Sequence, residues 1–437
     1  MKKLISNIIY LISEKFLTTF ILLFSNIIVI RYLGVESFGK LAIFQIYFAL
    51  AVTVSEFGIR RVYSSFRTYR REIITFSEVL RLKTILSGTF FIITFLVVYF
   101  IQLDFIYYFL SLAFLASPFE SYSYHFEANL NNQLLSKIRV SVSLFLALLR
   151  IMLCFFSADL VLIVLSFSIS NIIINLLCFW QSRKKGFKPN YSLSIARRVI
   201  IRKHLLSRSL FFWLSVVVVQ LNLRTDQFML SIMTSAASVG IYAGAYKLVE
   251  QFMMIPSILA GVFLPHISRQ TNVDRNLYLK RLYFYSLIIS TPLSIFSAAV
   301  APFLLPALLG HAFNASVPVF QLLVLSLPVL VLVNLSGLYY SIHKLEKYAV
   351  FRNFFGLALS LILNAIFINL GGVVGAALSV LISYTFVSFF VEFLLPATRK
   401  NAILKIESLR DCFLPQSYKS LIHEFKDVLQ KRKRKIK

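Results

Sequence analysis

Negative charge is scarce in this chain. Its 437 residues include 18 Asp and Glu against 45 Lys and Arg, and charged residues make up only 14% of the whole. Soluble domains carry about 25%. With 58% hydrophobic residues and a mean hydropathy of +0.79, a water-soluble globular protein is excluded. Cysteine is nearly missing as well. Cys154, Cys178 and Cys412 fall in separate elements, and no Cys/His cluster has metal-ligand spacing, so neither a disulfide framework nor a zinc site is expected. There is no Gly-x-x-x-x-Gly-Lys-Ser/Thr phosphate loop and no Ser-His-Asp pattern. No cofactor is called for, and ATP hydrolysis by this chain is not expected. Transport would have to draw on an ion gradient, the membrane potential or the substrate's own gradient.

Basic residues are also missing, from every second connection. Those around Asp104, Asp159, Ser235, Asn314 and Gly371 carry no Lys or Arg; only the first, near Arg31 and Lys40, does. The intervening ones hold Arg60 to Lys83, Lys137 with Arg139, Arg183 to Arg208, Arg269 to Arg281, Lys344 to Arg352, and the tail after Arg399. Lys and Arg near helix ends stay on the cytoplasmic face, so the alternation predicts a polytopic membrane protein with both termini cytoplasmic. This bias accounts for nearly all of the net charge of +27. Nucleic acid is therefore not expected as a partner.

Runs of about 20 apolar residues span a bilayer. Twelve are legible, at 8–30, 38–57, 80–101, 105–128, 138–157, 160–180, 210–232, 238–264, 283–307, 317–341, 349–369 and 373–395. The first is full length and has no small-residue cleavage site after it, so it is expected to stay as a helix. The outer connections are short and leave no room for an extracytoplasmic domain.

The fold class expected is an all-α membrane protein with twelve transmembrane helices in two parallel six-helix bundles, 1–180 and 209–395. A basic cytoplasmic linker, 181–208, joins them, and a basic amphipathic tail, 396–437, follows. Six spans per half give both halves one orientation, as in parallel repeats. Two echoes agree: Gly39 before the second span matches Gly240 before the eighth, and Arg139 entering the fifth matches Arg352 entering the eleventh. In the tail, Tyr418, Leu421, Ile422, Phe425, Val428 and Leu429 recur at helical spacing opposite Lys419, His423 and Lys426. That face and the terminal Lys431–Lys437 are expected to meet anionic lipids on the inner surface.

Ionisable groups inside spans are costly and usually face a cavity. The cations are Lys15, Arg150, Arg224 and Lys247, with Arg31 at the end of the first span; the carboxylates are Glu14, Glu120, Asp226 and Glu250. Arg224 lies twelve residues before Ala236 and Lys247 eleven after it. At ~1.5 Å per residue both sit about 17 Å below that turn, near mid-membrane. Two cations at one depth suit an anion, and guanidinium matches phosphate geometry. Lys247 and Glu250 share a helix face, so an internal ion pair is the competing reading. In the fourth span, Ser117, Glu120, Tyr124 and Glu127 form a polar stripe interrupted by Pro118.

Arg31-Tyr32-Leu33-Gly34 with Phe38-Gly39, and Ser55-Glu56-Phe57-Gly58, resemble the signatures that end the first and second helices of polysaccharide-export flippases. Arg224-Thr225-Asp226-Gln227, followed by Val239-Gly240-Ile241-Tyr242 and Ala245-Tyr246-Lys247-Leu248, is similar to the next block, and Leu309-Gly310 and Gly371-Gly372-Val373-Val374-Gly375-Ala376-Ala377 to later ones. The resemblance runs from about residue 8 to 395 and is to the O-antigen flippases (the Wzx type) of the MOP superfamily, which includes MATE exporters. It implies two six-helix bundles around a cavity, alternating access, and an undecaprenyl-pyrophosphate-linked oligosaccharide moved from the cytoplasmic to the periplasmic leaflet of the bacterial inner membrane. Polysaccharide polymerase and glycosyltransferases would be its partners. Lipid II flippases carry two extra C-terminal helices where this chain has a basic tail. A MATE-like exporter of organic cations is the runner-up, but needs a carboxylate-dominated cavity. A membrane polymerase or ligase would need a large periplasmic loop.

Overall fold

The computed structural model describes residues 2–63, 76–129, 131–187, 189, 195–252, 256, 267 and 272–414. Among them every regular element is helical. Within a bilayer no water is available to the backbone, and a helix satisfies its own N–H and C=O groups.

The elements are α1 (Lys2–Ser55), α2 (Phe76–Ile101), a 3-10 turn (Phe105–Ser111) leading into α3 (Leu112–Ala128), α4 (Asn132–Phe155), α5 (Leu160–Lys184), α6 (Ile195–Met233) and α7 (Ala236–Phe252). After them come α8 (Asn272–Leu309), α9 (Ser316–Leu325), α10 (Leu327–Ile342) and α11 (Glu346–Thr385). A π-helical stretch, Phe386–Val391, the single turn α12 (Glu392–Leu394) and α13 (Arg399–Asp411) complete the described chain.

Among the described residues seven helices are long and apolar enough to cross a membrane, or eight if α9 and α10, bent by 45°, count as one span. The expected twelve runs are nevertheless all at least partly helical. Two of the seven, Ser13–Tyr63 and Glu346–Leu394, are 51 and 49 residues long and each hold two runs. Their breaks are at Gly34 (φ 67°) and at Gly371–Gly372 (φ 54° at the second), where the chain turns without leaving a loop. The run 105–128 starts as the 3-10 turn, and 238–264 is helical to Phe252, with most of its remainder outside the described residues. The expected linker 181–208 is helical from Ile195, continuous with the seventh span in α6. The amphipathic face from Tyr418 to Leu429 and the terminal basic run lie outside the described residues.

The helices pack as two compact units. One comprises 1–251, 302–319 and 360–376; the other comprises 252–301, 320–359 and 377–437. The first has a core of Tyr63, Phe76, Tyr122, Tyr124, Leu135 and their neighbours. In it α1 and α7 approach backbone to backbone. A Cβ on Gly39 would lie 1.8 Å from the Ala236 carbonyl oxygen, and one on Gly240 2.0 Å from that of Val35. Each glycine thus faces the carbonyl four residues before the other, so neither position has room for a side chain.

The second unit packs Tyr283, Leu287, Leu327, Leu332, Leu335 and Leu404 together. Its buried Glu392 accepts from Arg352 at 2.8 Å, Lys405 at 2.9 Å and Asn401 at 2.6 Å. Lys280 pairs with Glu407 at 3.1 Å and Asp411 at 3.0 Å. Both sets hold α13, on the only described part of the expected tail, against the bundle.

Candidate functional site

A cavity of about 530 Å³ opens within the first unit. Both segments of α1 line it, through Asn26 and Gln45, with α4, α5, α6 and α7. Two cations reach it: Lys247 from α7 and Arg150 from α4. No Asp or Glu is among its described lining residues.

Arg150 is 2% exposed. Its Nε donates to the Ser166 hydroxyl at 3.2 Å and one Nη to the Ser166 carbonyl at 3.3 Å. The guanidinium sits 3.6 Å from the Phe167 ring centroid. Its Nη1 has no hydrogen-bond partner, and no described carboxylate pairs with it. A buried cation left this way is costly unless something else completes its shell.

Lys247 lies 3.5 Å from Glu250, the expected helix-face pair, and Glu250 also pairs with Arg224 at 3.3 Å. Arg224 therefore shares its counter-charge with Lys247 across the α6–α7 hairpin, and it is not among the cavity-lining residues. Sequence spacing left Arg224 without a partner because Asp226 is two residues away. Glu250, twenty-six residues on, is read in the sequence only as the helix-face partner of Lys247. The trio of Arg224, Lys247 and Glu250 carries one net positive charge. Asp226 is buried and accepts a hydrogen bond from Tyr242.

The other candidates lie elsewhere. Glu120 pairs with the fully buried Lys83 at 2.7 Å, and Lys83 also donates to Tyr124 at 3.0 Å. Glu120 lines a separate cavity of about 110 Å³, which shares Val52, Asn171 and Ile174 with the larger one. Glu14 accepts from Ser136 at 2.6 Å and pairs with Arg139 at 3.2 Å. Lys15 and Arg31 are exposed, and Arg31 approaches Gly310. Lys83, Arg139 and Tyr242 stand in the sequence as a basic connection, a repeat echo and part of the flippase-like block, not as partners of these carboxylates. Their distance along the chain from Glu120, Glu14 and Asp226 hides such pairings from any local pattern.

Residues 4–271 match the family model described as "Polysaccharide biosynthesis protein". The chain belongs to that family. It is a multi-pass membrane protein with a MATE-like, all-helical fold. Among solved structures, a lipid II flippase (MurJ) in an inward closed conformation superposes with TM-score 0.67 at 17% identity, covering 92% of this chain and 91% of that one. A MOP-superfamily transporter from Pyrococcus furiosus, described as having a binding pocket of reverse polarity, gives 0.60 at 15% identity, covering 91% and 96%. An outward-facing MATE multidrug transporter gives 0.59 at 13%, again covering 91% and 96%. At such identities the likeness is one of fold. No curated protein sequence matches the chain significantly.

Proposed function

We propose that this protein is a flippase for a lipid-linked oligosaccharide, an O-antigen or capsule repeat unit on undecaprenyl pyrophosphate. It carries the unit from the cytoplasmic to the periplasmic leaflet of the inner membrane. The observation that carries the reading is the cavity's polarity: Lys247 and Arg150 face it, with no carboxylate among the described lining residues. Arg150 lines the cavity with a buried guanidinium nitrogen that has no protein partner and with no described carboxylate to neutralise it, and guanidinium–phosphate bonds are among the strongest available to a side chain. The anion would sit on these two groups while the polyprenyl chain stays in lipid. Arg224 supports the site indirectly, by drawing Glu250 away from Lys247. The family match and the fold of the transporters named above support the same reading. An organic-cation exporter would need the opposite polarity.

In this reading the halves 1–180 and 209–395 are parallel repeats that alternate access, both termini are cytoplasmic, and the tail past residue 414 binds anionic lipids. Polymerase and glycosyltransferases act on either side of the step.

The test is flipping of a fluorescent undecaprenyl-pyrophosphoryl oligosaccharide in proteoliposomes. Arg150→Ala and Lys247→Ala should each slow it by about 10- to 100-fold, the worth of a charged hydrogen bond. Arg150→Lys should recover part of the rate. Unchanged flipping in both alanine variants, or transport of an organic cation instead, would overturn the proposal.

A further inference from the structure

The same cavity holds four primary amides: Asn26 and Gln45 on either side of the Gly34 break in α1, Asn171 from α5 and Gln220 from α6. Several amides inside spans bond back to their own helix, and others, such as Asn175 and Gln321, bond to the backbone of a neighbouring one. Asn334 donates to the Leu330 carbonyl, Asn364 to that of Ser360 and Asn369 to that of Ala365, each at 2.8 Å. The four cavity amides do not: none forms a hydrogen bond to another described residue. Each offers two donors and two acceptor lone pairs. The four are half-buried, so they keep these groups open to whatever fills the cavity. They converge from three helices on one space, beside Lys247 and Arg150.

That arrangement selects a ligand chemistry. A hydrocarbon would leave the amides unsatisfied. An organic cation would meet two positive charges and no carboxylate. A ring bearing many hydroxyls or an acetamido group presents donors and acceptors in alternation, as carboxamides do. The volume, about 530 Å³, lies in the range of small-molecule sites rather than of a long glycan. We infer that Asn26, Gln45, Asn171 and Gln220 form a sugar-reading site, which takes the first sugar attached to the pyrophosphate. This rests on the reading that Lys247 and Arg150 hold the phosphates. A site built to bond a hydroxyl discriminates strongly against ligands that lack it, because its own amides are then left bare. The substrate would accordingly be selected by its proximal sugar, with the remainder of the glycan extending out of the site.

The experiment uses the full chain in lipid nanodiscs and three probes: undecaprenyl pyrophosphate, and the same lipid carrying N-acetylglucosamine or galactose. At least one sugar-bearing probe should bind the wild type about 5- to 10-fold more tightly than the bare lipid. Gln45→Leu and Asn171→Leu should each reduce that advantage by about fivefold, the effect of one hydrogen bond, and leave binding of the bare lipid unchanged. Their melting temperatures should stay level or rise, since an unpaired amide is replaced by an apolar group of similar size. The sugar site is overturned if neither sugar adds affinity, if the variants lose all probes equally, or if they melt markedly lower. Failure of every probe to bind the wild type would instead remove the phosphate reading, and the sugar site with it.

Discussion

A single carboxylate governs the charge of the candidate site. Glu250 stands between Lys247 and Arg224, at 3.5 and 3.3 Å, and its side chain keeps 36% exposure. Both contacts are longer than the ~2.7–2.9 Å of a tight charged hydrogen bond, so the carboxylate is shared rather than committed. Glu250→Gln removes its charge and keeps its shape. Lys247 is then free for an anion, and binding of undecaprenyl pyrophosphate should tighten several-fold. The two cations repel without their shared partner, so the melting temperature should fall by a few degrees. Weaker binding in this variant would mean that Glu250 orients Lys247 rather than competing for it. Arg224→Ala hands Glu250 wholly to Lys247, and flipping should slow less than in Lys247→Ala. The sequence showed which residues were charged and deep in the membrane. It could not show how they pair. Glu120 pairs with Lys83 and Glu14 with Arg139, across 37 and 125 residues respectively. Nor did polar amides such as Gln45 stand out, because neutral residues leave no trace in a charge pattern.

Two contacts between elements carry consequences of their own. The first is the crossing of α1 and α7 at Gly39 and Gly240. A methyl group at Gly39 would lie 1.8 Å from the Ala236 oxygen, and backbone cannot move aside as a flexible side chain can. Gly39→Ala and Gly240→Ala should each destabilise the protein by about 1–3 kcal/mol, as overpacking does. Gly88→Ala in α2 has nothing within 4 Å, and should be neutral or stabilise by up to about 1 kcal/mol through helix propensity. Thermal melts of the purified protein separate the two classes. Equal effects at Gly39 and Gly88 would show that the crossing is loose. Sequence alone aligned Gly39 with Gly240 as matching points of two repeats; their direct contact needed the structure. The second contact is Glu392, whose side chain is fully buried with those of Arg352 (7% exposed) and Lys405 (0%). Glu392→Gln leaves both cations buried without a counter-charge, at a cost of about 3–5 kcal/mol. Cleavage by protease between Leu395 and Arg399 should then accelerate as α13 comes loose. Lys405→Met should be milder, since Arg352 and Asn401 still satisfy the carboxylate. The reverse order would show that α13 is held by its apolar face instead.

Across the whole molecule, the hydrophobic runs were the most legible feature, because a bilayer demands long apolar helices and little else of comparable length looks like them. Their merging was less so. Helices that continue through Gly34 and Gly371–Gly372 lack the polar loop that marks a boundary in sequence. The same physics makes orientation testable. Basic residues cluster at one set of helix ends, where Arg60 meets Glu127 at 2.8 Å and Arg202 meets Glu78 at 2.8 Å. The opposite connections at Asp104, Asp159 and Ser235 are short and carry no Lys or Arg. Moving a basic cluster across the membrane is opposed at each of several connections at once, so the alternation should fix a single topology. A periplasm-dependent phosphatase fused after Asp104, Asp159 or Ser235 should be active, and one fused after Arg70, Arg197 or Lys419 inactive. Adding three lysines at Asp159 should weaken that assignment locally, giving mixed activity at 159 while Asp104 stays periplasmic. Activity after Arg197 in the unaltered chain would give the second half the opposite orientation to the first and overturn the proposed parallel relation between 1–180 and 209–395. Alternating access by two like-oriented bundles would then have no basis.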